Sequence, residues 1–373
     1  MRFLTTFSLL FSIIGLSLFS LVFIYSSTVD VSSEATSGLF DFPLAFKKQM
    51  VFYLLGFIFM FAISRIPYQQ WVYPAIFLYV INIIVLIICD KIGVIKGGAK
   101  SWIDLGFMMY QPSETMKTCW VLYLASYLRY RESYRTLSGL IPPFIITGIP
   151  VLLIRQQPDN GTAFLFIPTL FIILYLVGAR LRHLGLIVLS LGLLCIPLWT
   201  HVLTTKQKAR IYSYLSPDEY ALSSAFQTNI SLLAIGEGHW TGKGIGEGRV
   251  NQHNLLPEAH TDFIFSIVAE ELGLIGALGL IICYMILLYT CYWLALRTRE
   301  PFGRTIVIGI GTLLTVQALI NISVAIVLIP TTGITLPFVS SGGSSFISSC
   351  IMIGLVLSVS RHHVTVLSKK DFE

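Results

Sequence analysis

The chain is short of charge. Of its 373 residues only 12% are Asp, Glu, Lys or Arg, about half the roughly 25% of a soluble globular domain. Its mean hydropathy of +0.78 comes from apolar residues gathered in long unbroken runs, which excludes a water-soluble fold. Other absences narrow the field. No CxxC pair occurs, and Cys89, Cys119, Cys195, Cys283, Cys291 and Cys350 all fall in or at the ends of apolar runs. They suit helix packing and argue for neither a disulfide frame nor a metal site. The seven histidines show no zinc-ligand spacing and no Ser or Cys elbow is present, so nucleophilic hydrolysis has no support. Without a basic run carrying interleaved aromatics, the net charge of +6 fits an anionic membrane surface and not nucleic acid. Internal repeats and low-complexity tracts are missing too.

What the chain does have is membrane-length apolar sequence. A bilayer core takes about 20 apolar residues per helix. Ten runs qualify, near 3–26, 48–65, 71–89, 114–129, 138–154, 161–179, 183–202, 262–296, 304–328 and 345–365. The eighth is too long for one crossing, so its first part is expected to be re-entrant or to lie on the surface. The fifth and sixth are close together and each contains Pro, which leaves nine spans open. The expected fold class is all-α: one polytopic membrane domain over 1–373 with about ten transmembrane helices. The first run exceeds the h-region of a cleaved signal peptide and reads as a retained helix. Short loops holding Arg65, Arg129, Arg131, Arg135, Arg180, Arg182, Arg297, Arg299 and Arg304 stay cytoplasmic under the positive-inside rule, and both termini go with them. The long loops 27–47, 90–113, 203–261 and 329–344 then face outward, with 203–261 as the large extracytoplasmic loop.

The polar chemistry gathers in those outward loops. "LPEAHTDFIFSIVAEELG" (Leu256–Gly273) sets Glu258, His260 and Asp262 before an apolar run and adds Glu270 and Glu271. Acidic side chains at a membrane are costly unless they meet water, a partner or a substrate. "KGGAKSWIDLGFMMYQPSETMK" (Lys96–Lys117) holds Lys100, Trp102, Gln111, Glu114 and Lys117. The last two are three residues apart, close enough to pair on one helix face. In "RQQPDNGTA" (Arg155–Ala163) Asp159 or Asn160 can cap the sixth span. "AIGEGHWTGKGIGEG" (Ala234–Gly248) lacks phosphate-loop spacing, which leaves a tight turn or an anion-binding run of amides beside Lys243. "NISVAIVLIPTTGITLPFVSSGGSS" (Asn321–Ser345) is an uncharged, helix-breaking loop with Ser344 or Ser345 placed to cap the last helix. Irregular backbone at that depth belongs against protein or beside a cavity.

In this order the segments resemble the SEDS family of bacterial cell-wall proteins (shape, elongation, division and sporulation). The resemblance covers nearly the whole chain, and "AEELG" with the short termini favours the elongation branch over the division branch. Ser101, Ser341 and "GEGH" at Gly236–His239 depart from residues the family often has there. The resemblance implies a peptidoglycan glycosyltransferase at the bacterial cytoplasmic membrane, its site facing outward, polymerising the lipid-linked precursor lipid II. It implies a class B penicillin-binding protein as transpeptidase partner, and Asp262 as general base. Asp159 is expected to support the acceptor or a divalent cation, Mg or Mn, although the metal ligands are unknown. Trp102, Gln111, Glu114 and Lys117 are expected to shape the substrate site, and Lys100, Arg210 and Lys243 to contact pyrophosphate. Glu258 and His260 are expected to orient the loop, with Glu270 and Glu271 capping or pairing locally. A lipid II flippase and a non-catalytic scaffold are the alternatives.

Overall fold

A computed structural model describes residues 2–28, 43–96, 98–106, 108–201, 212, 214, 226–253, 255–256 and 259–362. Hydrocarbon offers backbone groups no hydrogen-bond partner, so apolar runs must satisfy their own N–H and C=O groups as helices. They do so in α1 (Arg2–Ser26), α2 (Leu44–Arg65), α3 (Pro74–Ile92), α4 (Pro112–Leu128), α5 (Ile141–Gln156), α6 (Asn160–Val177) and α7 (Leu181–His201). The short α8 (Phe226–Glu237) precedes α9 (Ile264–Arg297), α10 (Pro301–Ala325) and α11 (Gly343–His362). Eight helices (α1, α2, α3, α5, α6, α9, α10 and α11) are long and apolar enough to cross a membrane, and this is an integral membrane protein. α4 and α7 fall at the two other expected spans. α5 and α6 stay separate, divided by a turn at 157–159.

α10 and α11 form the centre, with 78% and 83% of their most apolar windows buried. α2 lies along α11, α1 and α10 against α9, and α4 and α6 against α10. Leu313, Leu314, Ile353 and Val356 are fully buried there.

Two stretches carry detail beyond the sequence expectation. Residues 94–110, expected as plain loop, form a small antiparallel sheet in the order β1 (Val94–Lys96), β2 (Ala99–Asp104), β3 (Met109–Tyr110). Val94 pairs with Trp102 and Ile103 with Tyr110, so the backbone groups of an otherwise irregular crossing satisfy one another. α9 is long because it is two helices joined at Gly273, whose φ of 65° and ψ of −161° leave the helix. The Gly-rich segment repairs the break. The amides of Lys243 and Gly244 donate to the Glu270 and Glu271 carbonyls (both 3.0 Å), while Leu274 N and Ile275 N donate to the His239 and Trp240 carbonyls (2.9 and 3.2 Å). A Cβ on Gly273 would come within 2.4 Å of Gly242 N, so only glycine allows that approach. Two of the amides offered to an anion by the sequence are therefore bonded to α9.

Candidate functional site

One end of the bundle collects the polar segments. Asp159 is the N-cap of α6, its Oδ1 accepting from Thr162 N at 3.1 Å, as its place before the apolar run suggested. Its Oδ2 accepts from Gln111 Nε2 at 2.9 Å and Ser113 Oγ at 3.4 Å. Burial raises the Asp159 pKa above its ordinary value, helped by the nearby Glu114 charge and opposed by the Thr162 hydrogen bonds and Lys117. A Cβ on Gly161 would lie 2.2 Å from Thr332 O, so the uncharged 329–342 loop rests directly on the α6 N-terminus.

The far side of that loop meets Asp262. This residue is half-buried just before α9, and a Cβ on Gly333 would stand 3.7 Å from its Oδ2. Its backbone is stitched to the loop at several points. Ser341 N donates to His260 O at 2.9 Å, Ser340 Oγ donates to Thr261 O, and Asn321 Nδ2 donates to both Asp262 O and Ile334 O at 2.8 Å. Residues 332–333 thus run between the Asp159 cap and the Asp262 carboxylate.

Beneath the loop sits the expected ion pair. Lys117 Nζ lies 2.7 Å from Glu114 Oε2, with side chains 1% and 5% exposed. Lys117 also donates to Gln317 Oε1 at 2.9 Å, and Gln317 Nε2 donates to Thr335 O at 2.8 Å. Taking this cation out of water is tolerable only when it is paired and hydrogen-bonded, as it is here. Ser348 Oγ donates to the Glu114 carbonyl at 2.7 Å. Ser344 and Ser345, expected as caps, lie in the first turn of α11. Ser344 Oγ accepts from Gln111 N at 3.2 Å and Ser345 Oγ pairs with Thr335 Oγ1 at 3.0 Å. Helix α11 begins at Gly343, so neither serine stands ahead of it, and both tie it to its neighbours.

The remaining expected residues lie elsewhere. Trp102 is half-buried on β2 with Lys96 Nζ 5.4 Å from its ring centre. Lys100 Nζ caps α3, donating to the Asp90 and Lys91 carbonyls at 2.9 and 2.8 Å. Lys243 Nζ is 3.6 Å from Glu237 Oε2. His260 joins the site loop through its carbonyl. Arg210 and Glu258 lie outside the described residues. Glu270 and Glu271 are fully buried. Val250 N donates to Glu270 Oε1 at 2.8 Å, and Ser26 Oγ and Asn251 Nδ2 donate to Glu271 Oε1 at 2.5 and 2.7 Å. These two acids pin α1 and the turn at 249–252 onto α9.

Set beside known proteins, residues 7–365 match the model of the FtsW, RodA and SpoVE family, described as cell cycle protein. The chain belongs to this family. It is 36% identical to stage V sporulation protein E of Bacillus subtilis, over 92% of this chain and 93% of that one. It is 35% identical to the peptidoglycan glycosyltransferase MrdB of Escherichia coli, over 84% and 85%, and 35% identical to the probable peptidoglycan glycosyltransferase FtsW of Geobacter sulfurreducens, over 93% and 92%. Among solved structures, a chain from a peptidoglycan synthase complex coordinating polymerisation and crosslinking superposes with a TM-score of 0.79 at 29% identity, covering 95% of this chain and 97% of that one. The rod shape determining protein RodA of Thermus thermophilus gives 0.70 at 27% identity, covering 96% and 97%. Membership fits the five polar segments that the fold brings to one end.

Sequence reasoning missed Gln317 and Asn321. The signal was available: two amide side chains four residues apart inside an apolar span are as out of place as Lys117.

Proposed function

We propose that this chain is a peptidoglycan glycosyltransferase of the bacterial cytoplasmic membrane, polymerising lipid II on the outer face with Asp262 as general base. The observation that carries the reading is the half-buried Asp262 carboxylate, held at the end of the bundle against a rigidly stitched loop in a family whose relatives are named for this activity. Chain growth joins an acceptor sugar hydroxyl to the anomeric carbon of a donor. The hydroxyl proton goes to Asp262, the new glycosidic C–O bond forms, and the donor's bond to its lipid pyrophosphate breaks. A carboxylate placed within reach of that hydroxyl lowers the barrier by removing the proton as the bond forms.

The other residues take supporting parts. Asp159, raised in pKa and bonded to Gln111 and Ser113, holds α4 and α6 around the acceptor side. The Glu114–Lys117 pair supports the loop from beneath through Gln317. Growing negative charge on the pyrophosphate needs a cationic partner. Among the described residues no three His, Cys, Asp or Glu side chains could hold a metal ion together. A Mg or Mn ion fits here as one that arrives on the substrate phosphates, since Mg binds through phosphate oxygens, water and one or two carboxylates. A class B penicillin-binding protein cross-links the product.

The test is polymerisation of lipid II by the purified chain with its partner's transpeptidase blocked. Asp262→Ala is expected to lower the rate by about 10²–10⁴-fold without lowering the melting temperature. Full glycan synthesis by Asp262→Asn would remove the base role, and vesicles that translocate labelled lipid II without polymerising it would favour a flippase.

A further inference from the structure

Gln317 and Asn321 stand four residues apart on α10, so they share one face of the helix, and each is 1% exposed. They bond to consecutive carbonyls of the site loop: Gln317 to Thr335 O and Asn321 to Ile334 O, both at 2.8 Å. Asn321 does one thing more. Its second amide hydrogen goes to Asp262 O, also at 2.8 Å. One NH2 group therefore holds the backbone on both sides of the Asp262 carboxylate. The orientation is set by chemistry, because both neighbours are acceptors and a flipped amide would point its oxygen at two carbonyl oxygens. Asn321 Oδ1 is buried without a protein partner, so donation to these two loops is what the side chain contributes.

Asp262 needs such a brace. It precedes Phe263, the N-cap of α9, so it stands outside the helix's own hydrogen-bond ladder. Its carboxylate hangs from the Cα by two rotatable bonds, and the backbone placement sets where the oxygens can reach. Gln317 carries the same restraint inward, since its Oε1 accepts from Lys117 Nζ at 2.9 Å.

We propose that Asn321 is a positioning residue for the glycosyl transfer, fixing the Asp262 carboxylate against residues 333–335 by bridging Asp262 O and Ile334 O. The inference rests on the reading of Asp262 as base. Its test uses the full chain in nanodiscs with lipid II and its transpeptidase partner. Asn321→Ala removes both bonds and leaves a cavity, and Asn321→Leu removes both bonds while filling a similar volume, so a packing defect shows in the first variant and not the second. Each is expected to lower kcat by about 10–100-fold, the range for a small misplacement of a catalytic group, with KM unchanged and the pH–rate profile displaced on its acid limb. In an Asp262→Glu background, whose longer side chain has already moved the carboxylate, Asn321→Ala is expected to lower kcat far less than in the wild type. A wild-type kcat for both Asn321 variants, or the same fold loss in both backgrounds, would overturn the proposal. Wild-type polymerisation by Asp262→Ala would instead overturn the base reading, independently of Asn321.

Discussion

The two ends of the helix bundle each carry a short ion pair, and the two pairs do different work. At one end Arg129 Nε meets Glu300 Oε1 at 2.8 Å, with side chains 23% and 19% exposed. Glu300 is also the N-cap of α10, its Oε2 accepting from Gly303 N at 2.7 Å, so its charge faces the positive end of the helix dipole. The arrangement ties the end of α4 to the start of α10 and is partly wet. At the other end the Glu114–Lys117 pair is nearly sealed from solvent, and Lys117 continues through Gln317 to the loop that carries Gly333 beside Asp262. The first pair finishes a helix end. The second is one link in a chain of polar contacts reaching the candidate base, and burying charge so deeply makes sense only where its neighbours need it held in one place.

That contrast can be broken most directly at Asp262, where Asp262→Ala should abolish most of the rate and leave the fold intact. Next comes Lys117→Ala. Removing one partner of a buried pair leaves an uncompensated charge and should destabilise the protein by about 3–5 kcal/mol, read as a lower melting temperature, with polymerisation per folded molecule also reduced. The double variant Glu114→Gln/Lys117→Met should recover most of that stability but not the rate; recovery of both would reduce the pair to a structural role.

Asp159 gives a smaller, pH-dependent effect. Its folded pKa is raised by burial, so the folded state holds the proton more tightly than the unfolded chain does. The stability linked to it is full below the ordinary carboxylate pKa and is lost as pH rises through the folded value. Asp159→Asn keeps an N-cap oxygen and should flatten this part of the melting-temperature profile above the ordinary carboxylate range. A profile identical to wild type would count against the burial argument. The smallest effect belongs to the opposite end. Arg129→Ala should lower the melting temperature less than Lys117→Ala does, because Glu300 keeps water and its Gly303 hydrogen bond, with the polymerisation rate of folded protein unchanged. A large loss of rate there would erase the contrast between the ends.

Several parts of the site were legible without coordinates because they are local. The Glu114–Lys117 pairing follows from helical spacing, the Asp159 cap from its place before an apolar run, and the break in α9 from a span too long for one crossing. Other parts were hidden because they join residues far apart in the chain. Lys100 reads as a pyrophosphate contact, and in the fold its ammonium closes the C-terminus of α3. The Gly-rich segment reads as a tight turn or an anion-binding run of amides, and two of its amides mend α9; the sheet at 94–110 reads as loop because three short strands carry almost no periodic signal.

The sequence by itself determined that the chain is a bundle of membrane helices, and that its uncommon polar residues gather in a few segments. Hydropathy and helical spacing act over neighbouring residues, so they can be read from order alone. Only the tertiary structure decided which segments meet: that 332–333 lies between Asp159 and Asp262, that two amides of α10 hold that loop, and that Glu271 fastens α1 to α9 while Glu270 holds the turn at 249–252. Those contacts arise because apolar surroundings leave every buried donor and acceptor to find a partner across the fold, and which partner lies within reach is set by packing.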